Sequence, residues 1–178
     1  QAACGWVYDD DHNVNELDPI QRLETIKDII ESRTDIDDPG KILVFVPYIH
    51  MLDGVSRFLT KAKLDHFVVS GATSLGKRNE IFQRFQHGTG HETLLAHPAC
   101  MSHGLTLTAA DTIIWASSIP SLEIFEQANA RITRVGQTKK QQIFMLYGSK
   151  TERETYRRLR QKRAVQDDIL QLLSEALT

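Results

Sequence analysis

Three groups of residues in this sequence combine types and spacings that chemistry uses. The run Gly71-Ala72-Thr73-Ser74-Leu75-Gly76-Lys77 fills the first seven positions of a phosphate-binding loop, G-x-x-x-x-G-K-[S/T]. Such a loop needs Ser or Thr at the eighth position to hold magnesium, and Arg78 stands there. An aspartate should also close a nearby apolar strand, yet the apolar runs lead into Pro47, Ser70, His97, Ala116 and Gly148. The chain is therefore not expected to act as an autonomous P-loop enzyme, and a nucleotide kinase of that kind is kept only as an alternative. A second group, His87, His91, His97, Cys100 and His103, has the residue types of a zinc site. Its loose spacing crosses a strand whose alternation points neighbours to opposite faces, so no metal site is expected. Cys100 and His103, as nucleophile and base, lack a third, orienting group.

The third group is Gln127-Ala-Asn-Ala-Arg131-Ile-Thr-Arg134-Val-Gly136-Gln137. On a continuous helix, Gln127, Arg131 and Arg134 would share one face and aim two guanidinium groups at one place. Adjacent cations repel, so the pairing makes sense where an anion sits between them. A nucleoside triphosphate fits, because arginine stabilises charge on transferring phosphoryl oxygens. The alternative is a pair of surface arginines.

The elements that must position these groups follow from periodicity. Short β-branched runs alternate with helical segments, the pattern of a parallel sheet with crossover helices. Asp18 and Pro19 open a helix with Leu23, Ile26 and Ile30 on its buried stripe. Strands are expected at 41–46, 66–69, 93–96, 112–115 and 142–147. Helices are expected at about 49–61, from the Ser74 cap with Ile81, Phe82 and Phe85 inward, and from Ser121 to about Thr133. The run Thr151-Glu-Arg-Glu154 reads as the capping box of a C-terminal helix or helix pair. Residues 1–17 are acidic and without period, a segment leading in from a preceding region.

At 178 residues, 41% hydrophobic and 25% charged, the chain has the composition of one globular domain. No apolar run approaches the roughly 20 residues that span a bilayer, and Cys4 and Cys100 are expected to be reduced thiols in a cytoplasmic compartment. The net charge of −2 is unevenly spread: residues 1–38 carry 11 acids and 3 bases, whereas 121–163 carry 11 bases and 4 acids. The basic stretch after Lys150 fits either a phosphate-facing surface or a solvated helix face.

The arrangement Q-A-x-x-R-x-x-R-x-G-Q at 127–137 resembles the sixth helicase motif of the Swi/Snf-like branch of superfamily-two ATPases. Lys41–Val46 is similar to the strand of that family's fourth motif. Val68-Val-Ser-Gly71-Ala-Thr73-Ser74, with Arg78 and Phe85, is similar to its "dGsts...R......F" segment, and Thr93 to Asp111 to its fifth motif. Lys150-Thr-Glu152 resembles the "gTvEe" step into the terminal helix. These pieces lie in the family's order across nearly all of residues 18–165.

The resemblance implies a three-layer RecA-like α/β fold: a parallel sheet flanked by helices over 18–150, with a C-terminal helical extension over 151–178. It implies the second lobe of an ATP-dependent DNA translocase, with Arg131 and Arg134 as arginine fingers and Gln127 and Gly104 at the ATP. ATP with Mg2+ would be held mainly by a missing N-terminal lobe, and this domain alone would be inactive. Ser70, Gly71, Thr73 and Arg78 in one loop, and Ser102 and His103 in another, would meet the backbone of duplex DNA. A non-catalytic RecA-like interaction module is the alternative. Met101 and Ser102 stand where the family usually has two glycines, and Ser117 and Pro120 where it commonly has an acid and a tryptophan. With these features, Ala96-His-Pro-Ala99 and the SLE...QANAR stretch from Ser121 to Arg131, the chain looks more like bacteriophage and some bacterial members than chromatin remodellers, so no nucleosome partner is expected; nor is a membrane partner. Its place would be the cytoplasm, that of a bacterial host if phage-encoded.

Overall fold

A computed structural model describes residues 6–8, 14–16, 19–34, 40–90, 92–101, 107–133, 137 and 139–176, with side chains excepted for 6–16 and 166–176. Two short strands, β1 (Trp6–Tyr8) and β2 (Val14–Glu16), form an antiparallel pair in the segment where the sequence showed no period. Then come α1 (Ile20–Thr34), β3 (Lys41–Phe45), α2 (Ile49–Lys61), β4 (His66–Val69), α3 (Leu75–His87), β5 (Thr93–Ala96) and a 3-10 turn (Pro98–Met101). The order ends with β6 (Ala110–Trp115), α4 (Leu122–Asn129), β7 (Gln142–Met145) and α5 (Lys150–Ala176).

Strands β3 to β7 make one sheet in the order β4-β5-β3-β6-β7, every neighbouring pair parallel. The chain starts at the centre, builds to one edge, returns, and builds to the other. All five strands therefore end on one rim, where an open α/β sheet places its ligands.

Both faces are covered, so the central strands bury apolar side chains on both sides. Ile42, Val44 and Val46 pack with Leu23, Ile26 and Ile30 of α1 and with Met51, Leu52, Val55 and Leu59 of α2. Leu43 and Phe45 face the opposite layer, with Ile81, Phe82 and Phe85 of α3, Phe125 of α4, and Tyr156 and Leu159 of α5. Trp115 is fully buried there, its ring 4.8 Å from that of Phe45 and 4.9 Å from that of Phe125. The expected inward stripes of α1 and α3 are thus the buried ones. Asp18, the expected cap of α1, lies outside the described residues. The carbonyl of Pro19 takes the first helical bonds, from the amides of Arg22 and Leu23.

Two features at the opposite rim set register. Gly40 leads into β3 where a Cβ would come within 2.2 Å of the Asp111 carboxyl. That carboxylate accepts from the Thr112 hydroxyl at 2.7 Å and lies 3.4 Å from the Arg33 guanidinium. Gly90, between α3 and β5, sits at φ +121°, a conformation that only glycine adopts without strain.

Candidate nucleotide and nucleic-acid interface at the strand ends

The glycine-rich run folds as a turn and a helix start. After β4, the Ser70 amide donates to Thr73 Oγ1 at 3.0 Å and the Thr73 amide donates to the Ser70 carbonyl at 3.1 Å. Ser74 caps α3, its hydroxyl accepting from the Lys77 amide at 3.4 Å. Gly76 is already helical, and a Cβ at Gly71 or Gly76 would meet nothing within 4 Å. A phosphate cradle uses glycines so that backbone can wrap closely round the anion; this segment does not wrap. Arg78 lies beneath the loop, its Nη2 donating to the carbonyls of Thr73 at 3.2 Å and Ser70 at 3.4 Å, while its Nε is buried without a hydrogen-bond partner. Of the four loop residues expected to meet nucleic acid, Gly71 is exposed, Ser70 and Thr73 are half-buried, and Arg78 acts on the loop itself.

His97, weighed in the sequence only as a metal-ligand type, joins three pieces of the rim. Its amide donates to the Val69 carbonyl at 2.9 Å, and its carbonyl accepts from the Cys100 amide at 2.9 Å. Its Nε2 lies 3.0 Å from the Pro47 carbonyl, which can only accept, so that nitrogen carries the proton. The exits of β3, β4 and β5 are thereby fixed to one another. Cys100 is buried behind them; burial pushes its thiol up, and the Arg78 charge pulls the other way.

The helix expected to run to about Thr133 ends at Asn129. Trp115 Nε1 donates to Asn129 Oδ1 at 2.9 Å, holding the last helical residue against β6. The next amides reach back only three residues, Arg131 to Ala128 at 3.2 Å and Ile132 to Asn129 at 3.3 Å, and the Arg131 carbonyl accepts from the Leu107 amide at 3.1 Å. The α-helix thus gives way to three-residue turns at Arg131 and Ile132, which the Leu107 bond joins to the residues ahead of β6. Gln127 is half-buried, its amide donating to Glu123 at 3.1 Å, and Arg131 is 5% exposed. Arg134, Gly104, Ser102 and His103 lie outside the described residues.

Gln137, the last residue of the same motif, had no assigned role, and the structure gives it one. Its Nε2 donates to the Ala110 carbonyl at 2.8 Å and the Thr108 carbonyl at 3.1 Å, and its Oε1 accepts from the Lys139 amide at 3.0 Å. Gln86 holds the same 108–109 stretch from α3, accepting from the Ala109 amide at 3.2 Å. A glutamine amide can satisfy backbone groups of both polarities at once. The spacing alone could not name the partners, because they come from distant strands.

A buried carboxylate closes the β6 end of the rim. Ser117, where the resembling family commonly has an acid, donates to Glu152 Oε1 at 2.7 Å. Glu152 Oε2 accepts from Arg22 of α1 at 2.7 Å and from the Gly148 amide at 2.8 Å. Burial pushes the Glu152 carboxyl up, but the Gly148 amide, Arg22 and Ser117 outweigh it and hold it below its ordinary value. The helix cap is thus Ser149, two residues before the one expected at Thr151: its hydroxyl accepts from the Glu152 amide at 3.1 Å, while the Glu152 carboxylate reaches back to the Gly148 amide. The competing acid, Glu154, is exposed and pairs with Arg157 and Arg158 at 2.7 and 3.2 Å.

No group of three or more His, Cys, Asp or Glu that could hold a metal lies among the described residues. A five-stranded parallel sheet flanked by helices, with polar loops at its strand ends, is a RecA-like lobe. The solved C-terminal part of the Fun30 ATPase domain shares the fold, with a TM-score of 0.65 at 22% identity over 70% of this chain and 40% of that one. Residues 21–136 match the helicase conserved C-terminal domain, and the chain belongs to that family. An uncharacterised ATP-dependent helicase of Mycoplasma genitalium is 27% identical over 85% of this chain and 14% of its own length. The SWI/SNF-related matrix-associated actin-dependent regulator of chromatin subfamily A-like protein 1 of Drosophila melanogaster is 32% identical over 60% and 14%, and helicase swr1 of Schizosaccharomyces pombe 26% identical over 90% and 12%. The Swi/Snf-like resemblance is borne out by these relatives. The chain spans about one seventh of their length. No helix among the described residues is long and apolar enough to cross a membrane.

Proposed function

We propose that this chain is the second motor lobe of an ATP-dependent translocase acting on duplex DNA, and that ATP binds in a cleft between this lobe and an N-terminal one. The observation that carries the reading is the gathering of the β4 loop and the 3-10 turn on the strand-end rim of a parallel sheet, with the α4 exit held against the residues that lead into β6, within a segment that matches a helicase domain. In this reading Arg131 and Arg134 are the arginine fingers, Gln127 and Gly104 contact the nucleotide, and the P-loop and magnesium-binding acids come from the other lobe. Arg131 would have to turn outward as the cleft closes, a hinge motion coupled to nucleotide state. Ser70, Gly71, Thr73, Ser102 and His103 would touch DNA phosphates, with Arg78 holding the β4 loop in shape, so binding fixes position and not sequence. The departures at Met101, Ser102, Ser117 and Pro120 are what favours a bacterial or phage motor of the cytoplasm over one acting on nucleosomes.

The burial of Arg131 favours a second reading, a RecA-like interaction module without catalysis. An ATPase assay on the full-length protein, with and without duplex DNA, separates the two. A finger is worth about 10³ to 10⁵ in rate, so Arg134→Ala should remove nearly all DNA-stimulated hydrolysis. Hydrolysis unchanged in both Arg131→Ala and Arg134→Ala would establish the module. Tight binding of ATP and magnesium by this 178-residue chain alone, read by calorimetry, would instead support an autonomous nucleotide site.

A further inference from the structure

We propose that the groove between β7 and the first half of α5 binds a nucleic-acid backbone, as a second phosphate-contact surface distinct from the β4 loop. The groove has a volume of about 850 Å³, and Tyr147, Lys150, Arg153, Glu154, Arg157 and Arg160 line it. The cations fall at i, i+3, i+7 and i+10, one face of a helix, and the row spans about 15 Å at 1.5 Å per residue. Glu154 is the one acid in the lining and is already engaged by Arg157 and Arg158. Lys150 and Arg153 have no ion-pair partner among the described residues, and Arg160 reaches only the Met145 sulfur, at 4.0 Å. Tyr147 stands 56% exposed at the mouth.

A solvated helix face is the plain alternative, and two facts weigh against it. Like charges three and four residues apart oppose helix formation, and Lys150 and Arg153 lie in the first turn, where the helix dipole disfavours cations. The arrangement costs the isolated chain stability that a bound anion would restore. Three of the four cations are arginines, whose planar fork matches phosphate oxygens. One strand of duplex DNA carries a phosphate per roughly 3.4 Å of axis, so the row runs beside about four of them. An acidic peptide would have no such fixed spacing to match. Strands β4 and β7 are opposite edges of the sheet, four strand spacings or about 19 Å apart. The groove therefore cannot be the β4 loop's own contact; it extends the nucleic-acid part of the proposed function and does not depend on the arginine fingers.

The test is fluorescence anisotropy of a labelled duplex titrated with the full chain across salt from about 50 to 200 mM. Each lost phosphate contact lowers the salt slope by about 0.9, so Arg153→Gln/Arg160→Gln should lower it by about 1.8 and weaken binding at the lowest salt. Both side chains are exposed, and circular dichroism with a thermal melt checks that the fold is kept. Lys61→Gln/Lys63→Gln, at the far end of α2, should leave slope and affinity unchanged. Three results overturn the proposal: no duplex binding by the chain; an equal loss in the Lys61 and Lys63 variant, which makes the effect one of net charge; or loss only of a polyglutamate peptide while the duplex binds as before. Arg78→Gln run alongside reports on the β4 loop separately, and ATPase on the finger reading.

Discussion

Replacing Glu152 by glutamine keeps the size of the side chain and removes its charge. The guanidinium of Arg22, 8% exposed in its side chain, would then stay buried without its counter-charge. Breaking a buried pair by removing one partner costs about 3 to 5 kcal/mol, because the remaining ion keeps its desolvation penalty. In a chain of this size each kcal/mol moves the melting point by about 2 to 4 °C, so Glu152→Gln should melt about 6 to 20 °C below the parent. Calorimetry and urea unfolding at neutral pH would measure it, with coincident transitions checking two-state behaviour. Replacing both partners, Arg22→Met/Glu152→Leu, should recover the part of the loss that comes from the stranded guanidinium and leave the double variant more stable than the single, although the Gly148 amide and Ser117 hydroxyl still lose this acceptor. The pH dependence has a definite sign. The carboxyl of Glu152 is held below its ordinary value in the fold, so its contribution is complete above the pKa of the unfolded chain and is lost as pH falls through the folded one. The parent should lose stability over that acid window, and Glu152→Gln should show a shallower loss. A single variant within about 1 kcal/mol of the parent, or a double variant as unstable as the single, would show that the carboxylate does not hold α1, β6 and α5 together as its contacts imply.

Gly40→Ala would place a methyl 2.2 Å from the Asp111 carboxyl carbon; displacing that carboxylate from Thr112 and Arg33 should cost about 1 to 3 kcal/mol in urea unfolding. Asn129→Ala should cost about 1 to 3 kcal/mol by stranding the buried Trp115 N–H, whereas Trp115→Phe/Asn129→Ala should show strong coupling between the two sites in a double-mutant cycle. Lys63 ends α2 at φ 60°, where its neighbour Leu64 donates back to the Leu59 carbonyl at 2.9 Å. Lys63→Gly should therefore raise stability by about 0.5 to 1 kcal/mol, read as a higher urea midpoint at constant slope. In a Cys4→Ser background, the Cys100 thiol should react with a disulfide reagent at least about tenfold more slowly than a free thiol at pH 8, and at the free rate in denaturant.

The sheet was legible because its central strands are buried on both faces. Runs such as Lys41–Val46 and Thr93–Ala96 need no partner to be recognised, and the stripe Leu23, Ile26, Ile30 states its own period. Strand ends were overextended at 142–147 and underextended at 112–115, since pairing and not composition ends a strand: β6 begins at Ala110, which lies opposite Lys41. The β1–β2 pair was missed because three-residue strands carry no periodicity. The end of α4 was misplaced for a different reason. Nothing local stops a helix at Asn129; the stop comes from Trp115, fourteen residues earlier, and from Leu107, just ahead of β6. The same nonlocality hid His97 and Gln137, whose partners are carbonyls of other strands, and shifted the helix cap from Thr151 to Ser149. Residue type announced which side chains were able to do chemistry. Only the crossing of strands decided which of them act on the chain itself.

That division bears on how such a rim works. Groups that fix its geometry, His97, Asn129 and Glu152, are satisfied by buried or half-buried hydrogen bonds and need no ligand to stay in place, and Gln137 does the same at the start of β6. Arg78 belongs with them, since both hydrogen bonds of its guanidinium go to its own loop. A loop anchored from beneath can present Ser70, Gly71 and Thr73 to a phosphate without ordering itself first, which removes an entropic cost from each binding event. On the proposed reading, a motor that must grip and release its track repeatedly is better served by weak contacts on a rigid support than by strong contacts on a flexible one. The exposed cations of α5, Lys150, Arg153 and Arg160, could likewise meet an anion without rearrangement of the core.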